Sequence, residues 1–188
     1  MSGELEGVFP ALVTPMTVEE EVDYRALRDF VDYLIEDGGV HGLIPLGSTG
    51  EYYALSSDER EAVAKTTIEA TAGRVPVLVG ANAGGTRQVV EFSRRAEALG
   101  ADGLLLAAPY YSLPTPDELF EHFSAVNDAI SIPIMLYNYP GRTGVDMTPD
   151  LIQRLAELDS IQYVKESAGD ATRVCEIIRR CGERIRVF

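Results

Sequence analysis

Cysteine and histidine are scarce in this chain, with two of each in 188 residues, and positive charge is in deficit. Cys175 and Cys181 fall on one predicted helix. At 1.5 Å per residue they stand roughly 9 Å apart along its axis, too far to pair with each other. Such usage fits a reducing, cytoplasmic compartment. His41 precedes a predicted strand and His122 lies in a predicted helix, so no set of side chains has the spacing of a zinc site, and no metal is expected. No apolar run approaches membrane-spanning length, and the polar, acidic stretch from Met1 to Glu6 does not read as a signal peptide. The net charge of -14 gives a surface that repels nucleic acid and anionic membranes.

What the chain does have is enough apolar residue, 46% of the total, to build a packed core, and a length that suits one domain or part of one. Apolar stretches start near residues 8, 42, 75, 103, 133, 161 and 184, with a helical pattern between each pair. Their boundaries carry recognisable chemistry. Asp23 suits a helix N-cap, Ser56 to Glu59 forms a capping box, and Thr115-Pro116 and Thr148-Pro149 pair an N-cap with a proline at the first helical position. Val89, Phe92, Ala96 and Leu99 form the expected buried side of a helix near 86–99, and Val174, Ile177, Ile178 and Cys181 the apolar positions of the last helix. Strands apolar on both faces and alternating with helices predict an α/β fold with a parallel sheet covered by helices. Six such units plus a seventh strand predict an eight-stranded (β/α)8 TIM barrel over residues 1–188, interrupted within its seventh strand. A doubly wound open sheet is second, because no glycine fingerprint for a dinucleotide follows the first strand.

The chemistry-bearing residues lie just beyond the strands, on the side where such barrels hold their active sites. Lys165 ends the sixth strand, where a buried strand normally carries Val or Ile. Desolvation there disfavours the ammonium form, and a neutral amine can attack a ketone to form a Schiff base. The bland alternative is a surface lysine paired with Glu166. Gly47-Ser48-Thr49-Gly50-Glu51 follows the second strand, with hydroxyls and backbone N–H groups suited to a small carboxylate. Tyr110 and Tyr111 follow the fourth strand and Tyr137 lies on the fifth. Any of these phenols can carry a proton or simply pack. Arg142 in the next loop can grip a carboxylate with its guanidinium, or lie solvated. Asp146 and Asp170 read as capping or solvated residues.

Together, Val13-Thr14-Pro15, Gly47 to Glu51, Pro109-Tyr110-Tyr111, Tyr137-Asn138-Tyr139-Pro140, Gly141 to Gly144 and Lys165-Glu166 resemble the dihydrodipicolinate synthase / N-acetylneuraminate lyase family of pyruvate-dependent class I aldolases. The resemblance covers essentially the whole chain. It implies a barrel followed by a small helical C-terminal region absent from this sequence. It implies that Lys165 forms the Schiff base with pyruvate or another 2-keto acid, and that no external cofactor is used. Tyr137 would transfer protons, Ser48 and Tyr111 would complete its relay, with Tyr111 reaching across a dimer interface, and Gly47 and Thr49 would hold the keto acid's carboxylate. Homo-oligomers, dimers or dimers of dimers, are implied as well. Arg142 resembles the arginine that binds the aldehyde's carboxylate in the synthases, which puts condensation of pyruvate with aspartate semialdehyde in lysine biosynthesis first. Ser48 stands where those synthases usually have threonine, and Tyr139 is also seen in relatives acting on 2-keto-3-deoxy sugar acids. An aldolase or dehydratase for such acids, a neuraminate-lyase-like enzyme and a pyrroline-carboxylate deaminase stay open. A non-catalytic barrel or truncated interaction protein is the alternative outside enzymes.

Overall fold

The computed structural model describes residues 5–188; the first four residues of the stretch read as lacking a leader lie outside the described residues. By internal contacts the chain falls into two compact units. One takes in the chain up to Ala81 together with Arg95–Leu104, and the other is Asn82–Arg94 with Leu105–Phe188.

In the first unit, the two leading apolar stretches do not form the regular strands that the sequence predicts. They pair through isolated parallel bridges, Ala11 with Ile44 and Leu43 with Val77. The backbone bonds alternate as in a parallel ladder: Leu12 N–H to Ile44 O at 2.9 Å, Ile44 N–H to Pro10 O at 3.0 Å, and Leu43 N–H to Pro76 O at 2.9 Å. The ladder is broken because Pro10, Pro15, Pro45 and Pro76 each remove a donor. The third stretch yields a short regular strand, β1 (Leu78–Gly80), buried throughout. Helix α1 (Tyr24–Glu36) starts where Asp23 accepts from Arg25 N–H and Ala26 N–H, and it buries Leu27 and Val31. Helix α2 (Ser57–Thr71) starts on the expected capping box, with Ser56 and Glu59 satisfying each other's backbone N–H groups. An unforeseen single turn of 3-10 helix, Tyr52–Ala54, joins the glycine-rich loop to α2.

Helix α3 (Thr86–Ala98) buries Val89, Ser93 and Ala96, while Phe92 and Leu99 are only half-buried. Its buried face is thus narrower and less apolar than the expected one, with Ser93 buried in addition to Val89 and Ala96.

Strand β2 (Gly103–Ala107) starts in the first unit and ends in the second, and in the second unit strands β3 (Ile134–Asn138), β4 (Ile161–Glu166) and β5 (Arg186–Val187) are neighbours in chain order. β3 with β4 and β4 with β5 are parallel. The connections are helical, as parallel neighbours require. Helix α4 (Pro116–Asn127) carries the Thr115–Glu118 capping box with Pro116 in its first turn. A four-residue helical turn, α5 (Pro140–Thr143), occupies the segment read as a loop. Helix α6 (Pro149–Leu155) is capped by Thr148, and α7 (Ala171–Cys181) by Asp170. Ile177 and Cys181 face inward from α7, but Ile178 is 52% exposed, because successive helical residues lie about 100° apart and only one of the pair can face the core. Both cysteines are free thiols. The fold is therefore α/β with a parallel sheet. Leu106, Phe123, Ile134, Met135, Leu136, Val164 and Ile177 are all essentially inaccessible and form the interior of the second unit.

Candidate active site

The register of β3 against β4 builds the centre of the site. Tyr137 is opposite Lys165 and Asn138 is opposite Glu166. Strand side chains alternate between faces, so the first pair shares one face and the second pair the other. On the first face, the Lys165 Nζ lies 4.0 Å from the centroid of the Tyr137 ring and 3.1 Å from Ser167 Oγ. Tyr137 is 8% exposed and Lys165 is half-buried, and burial lowers the lysine pKa below its usual value. The expected desolvated amine is present, and the pairing with Glu166 is not.

Glu166 is committed elsewhere. Its carboxylate accepts from Asn138 Nδ2 at 3.1 and 3.0 Å and from the Ala168 N–H at 2.8 Å. Arg173 Nε stands 3.6 Å from its second oxygen, while the same guanidinium makes a two-pronged pair with Asp146 at 3.1 and 2.7 Å. Asp146 is exposed, as expected, and also pairs with Arg173. Asp170 does cap its helix.

An aromatic and cationic row continues from Tyr137. The Tyr139 ring lies 5.9 Å from that of Tyr137, and the Arg142 guanidinium stacks 5.6 Å from the Tyr139 ring centroid. Lysine, two tyrosines and arginine thus follow one another from β4 to α5. Tyr111, in the segment between β2 and α4, is 95% exposed and has a φ of 74°, a conformation disfavoured for a bulky residue. It does not join the Lys165 cluster by any contact within this unit.

The loop with Gly47, Ser48 and Thr49 belongs to the first unit. It is a tight turn in which Gly50 N–H bonds Gly47 O at 3.0 Å and Glu51 N–H bonds Ser48 O at 3.2 Å. Thr14 Oγ1 donates to Gly50 O at 2.7 Å and fixes the turn against the leading segment. A Cβ on Gly50 would lie 2.9 Å from Leu12 O, so only glycine fits there. Gly47 is buried, Ser48 half-buried and Thr49 exposed.

The histidines are structural. His41 Nδ1 accepts from the Val8 N–H at 3.1 Å, and His122 Nδ1 lies 2.9 Å from Thr86 Oγ1. Among the described residues no group of His, Cys, Asp and Glu could hold a metal ion, and no helix is long and apolar enough to cross a membrane. Ser167 and Asn138 were given no role of their own in the site from the sequence. The signal for Asn138 and Ser167 was spacing: each lies one strand position or one turn from a residue that was.

The dihydrodipicolinate synthetase family model matches residues 4–188. The chain belongs to that family. Similar members include the 4-hydroxy-tetrahydrodipicolinate synthases of Pelobacter propionicus, 46% identical over 183 residues, and Halorhodospira halophila, 43% identical over 186. Each alignment covers 97% of this chain and 62% of the relative. Among solved family structures, the dihydrodipicolinate synthase of Acinetobacter baumannii in complex with pyruvate superimposes with a TM-score of 0.94 at 38% identity, over 96% of this chain and 62% of that one. The synthase of Aquifex aeolicus gives 0.94 at 37% identity, over 98% and 62%. The chain thus spans about 62% of the length of these relatives.

Proposed function

We propose that the protein is a Schiff-base-forming lyase that condenses pyruvate with aspartate semialdehyde, a 4-hydroxy-tetrahydrodipicolinate synthase. The observation that carries this reading is the half-buried Lys165 amine, 4.0 Å from the Tyr137 ring centroid and without a carboxylate partner. The relatives named as such synthases support the substrate pair. In this reading the neutral Lys165 amine attacks the pyruvate ketone carbon, a water leaves, and an imine forms. Loss of a methyl proton gives the enamine, whose carbon attacks the aldehyde. Tyr137 transfers protons, with Ser48 and Tyr111 completing its relay. Gly47 and Thr49 hold the pyruvate carboxylate, and Arg142 the aldehyde's carboxylate. The covalent imine replaces any external cofactor.

The same reading makes residues 1–188 part of a single (β/α)8 barrel. It makes the exposed, left-handed Tyr111 a residue covered by a second copy in a homo-oligomer. Two free thiols suit a cytoplasmic setting. A second reading, an aldolase or dehydratase for 2-keto-3-deoxy sugar acids, is favoured by one observation. Tyr139 stands between Tyr137 and Arg142, where its ring and hydroxyl would face a longer hydroxylated substrate.

Borohydride reduction in the presence of pyruvate, followed by peptide mass spectrometry, tests the class. The expected result is a reduced pyruvyl adduct on Lys165 that is absent from Lys165→Ala. An adduct elsewhere would reject Lys165 as the reacting amine, and none in folded protein would reject pyruvate as the donor. Turnover with aspartate semialdehyde against a 2-keto-3-deoxy sugar acid then separates the two readings.

A further inference from the structure

The far face of β4, opposite the reacting amine, holds four groups that the proposed chemistry does not use: Asn138, Glu166, Asp146 and Arg173. The Glu166 side chain is only 2% exposed, and that of Arg173 16%. A buried carboxylate next in sequence to a buried lysine would ordinarily turn to it, because each charge lowers the other's desolvation cost. Here each Glu166 oxygen is taken by other donors. Asn138 Nδ2 reaches both oxygens, Ala168 N–H takes one, and Arg173 Nε faces the other. Asn138 is itself pinned, since its Oδ1 accepts the Met147 N–H at 3.0 Å and its Nδ2 also lies 3.3 Å from Asp146 Oδ1. Arg173 is pinned by Asp146 and by Met147 O at 3.1 Å. On the amine's own face, within this unit, stand the Tyr137 phenol from β3 and the Ser167 hydroxyl, and the acids and the guanidinium lie behind the strand.

We propose that Asn138 and Arg173 are positioning residues: Asn138 holds the Glu166 carboxylate on the far face of β4 and Arg173 offsets part of its charge, so that Lys165 keeps no anionic partner and stays a nucleophile. The proposal rests on the reading of Lys165 as the reacting amine. It goes beyond it by naming the groups that keep the amine free. Arg173, shared with Asp146, offsets only part of the Glu166 charge, while the Asn138 amide and the Ala168 N–H hold the carboxylate oxygens turned away from the ammonium. Released, the carboxylate would favour the charged form and withdraw the free amine at neutral pH.

The chain has two lysines, Lys165 and Lys65. Lys65 is exposed on α2 beside Glu69. Lysine labelled with 13C at Cε therefore gives two resolvable signals, and Lys165→Met assigns them. The Lys165 pKa is read from its titration in the wild type, Asn138→Ala, Arg173→Gln and Glu166→Gln, together with the rate of borohydride trapping with pyruvate at pH 7. In Asn138→Ala and Arg173→Gln the pKa should rise by about one unit and trapping should slow about tenfold. Adding Glu166→Gln to either should restore both. Glu166→Gln alone keeps an acceptor for Asn138 and should leave the Lys165 pKa where it is.

Folded single variants with an unchanged Lys165 pKa would overturn the proposal. If the Asn138 and Arg173 variants do not fold, Glu166→Gln alone decides. A fall in the Lys165 pKa would show that the carboxylate already pairs with the amine and would reject the idea, whereas no change supports it. The titration needs no pyruvate. The expected pattern without any pyruvyl adduct would therefore reject the proposed reaction and leave the positioning roles standing.

Discussion

Lys165 Nζ sits 4.0 Å from the centroid of the ring of Tyr137, its register partner on the neighbouring strand. The ring face favours the ammonium, by about 0.5–2 kcal/mol in such contacts, while burial favours the amine. Burial lowers the lysine's pKa, so the two effects oppose each other at this amine. Under the proposed reaction, the ring and the hydroxyl of this tyrosine have distinct roles that substitution can separate.

Tyr137→Phe keeps the ring and removes the phenol. Imine formation, read by borohydride trapping, should persist. Turnover should fall by about 10²–10⁴-fold, the usual range for losing a positioned proton-transfer group. Equal loss of trapping and turnover would assign the residue a packing role only.

His122 should make the protein acid-sensitive. Its Nδ1 bonds Thr86, its Nε2 is buried without a hydrogen-bond partner, and its ring meets Phe123 edge-on at 5.0 Å. Burial lowers its pKa from 6.5 to about 4. Because the folded value lies below the unfolded one, the stabilisation is fully present above pH 6.5. It is lost progressively as the pH falls through 6.5 toward 4. The gap corresponds to about 3 kcal/mol at most. Urea midpoints measured from pH 8 to pH 4 should fall in that window, and His122→Leu should flatten the slope there. An equal slope in the variant would place the acid sensitivity elsewhere.

The helices were legible in the sequence because their starts are local chemistry. Asp23, Ser56, Thr115, Thr148 and Asp170 all cap helices, and a cap needs only its next three residues. The leading strands were read from hydrophobicity alone, which does not register that Pro45 and Pro76 lack the donor a regular ladder needs. Lys165 and Tyr137 stood out because a lysine and a tyrosine near the ends of buried strands are unusual there. The Glu166, Asn138 and Arg173 cluster was not legible, since it depends on the β3–β4 register and on which face α7 presents. Tyr139 was read as a loop residue shared with relatives acting on 2-keto-3-deoxy sugar acids, and its place between Tyr137 and Arg142 follows from the turn of α5.

Gly80→Ala tests what supports the Ser48 loop within the first unit. A Cβ at Gly80 would lie 2.0 Å from Leu46 O and 3.2 Å from Gly47 N, both backbone atoms. Backbone cannot swing aside as a flexible side chain can, so the Leu46–Gly47 segment must shift. A loss of about 1–3 kcal/mol is expected, typical of overpacking, visible as a lower melting temperature. The pyruvate concentration for half-maximal trapping should rise as well, because the turn carrying Ser48 and Thr49 moves. A destabilised variant with unchanged pyruvate affinity would detach that loop from carboxylate binding.

Arg142 should govern the second substrate and not the first. Its guanidinium stacks on Tyr139, which in turn meets Tyr137, so the cation is held two rings away from the reacting amine. In the proposed reaction that remove suits a distal carboxylate better than the keto group at Lys165. Losing one charge-assisted hydrogen bond costs about 1.5–3 kcal/mol, which is roughly 10- to 150-fold in affinity. Arg142→Ala should therefore raise KM for aspartate semialdehyde by that factor and leave borohydride trapping with pyruvate within twofold. Arg142→Lys should recover only part of the loss, because an ammonium keeps the charge but not the planar fork or its stacking on Tyr139. If instead trapping falls and the aldehyde KM does not move, Arg142 acts on the keto acid, and the assignment of aspartate semialdehyde loses its structural support.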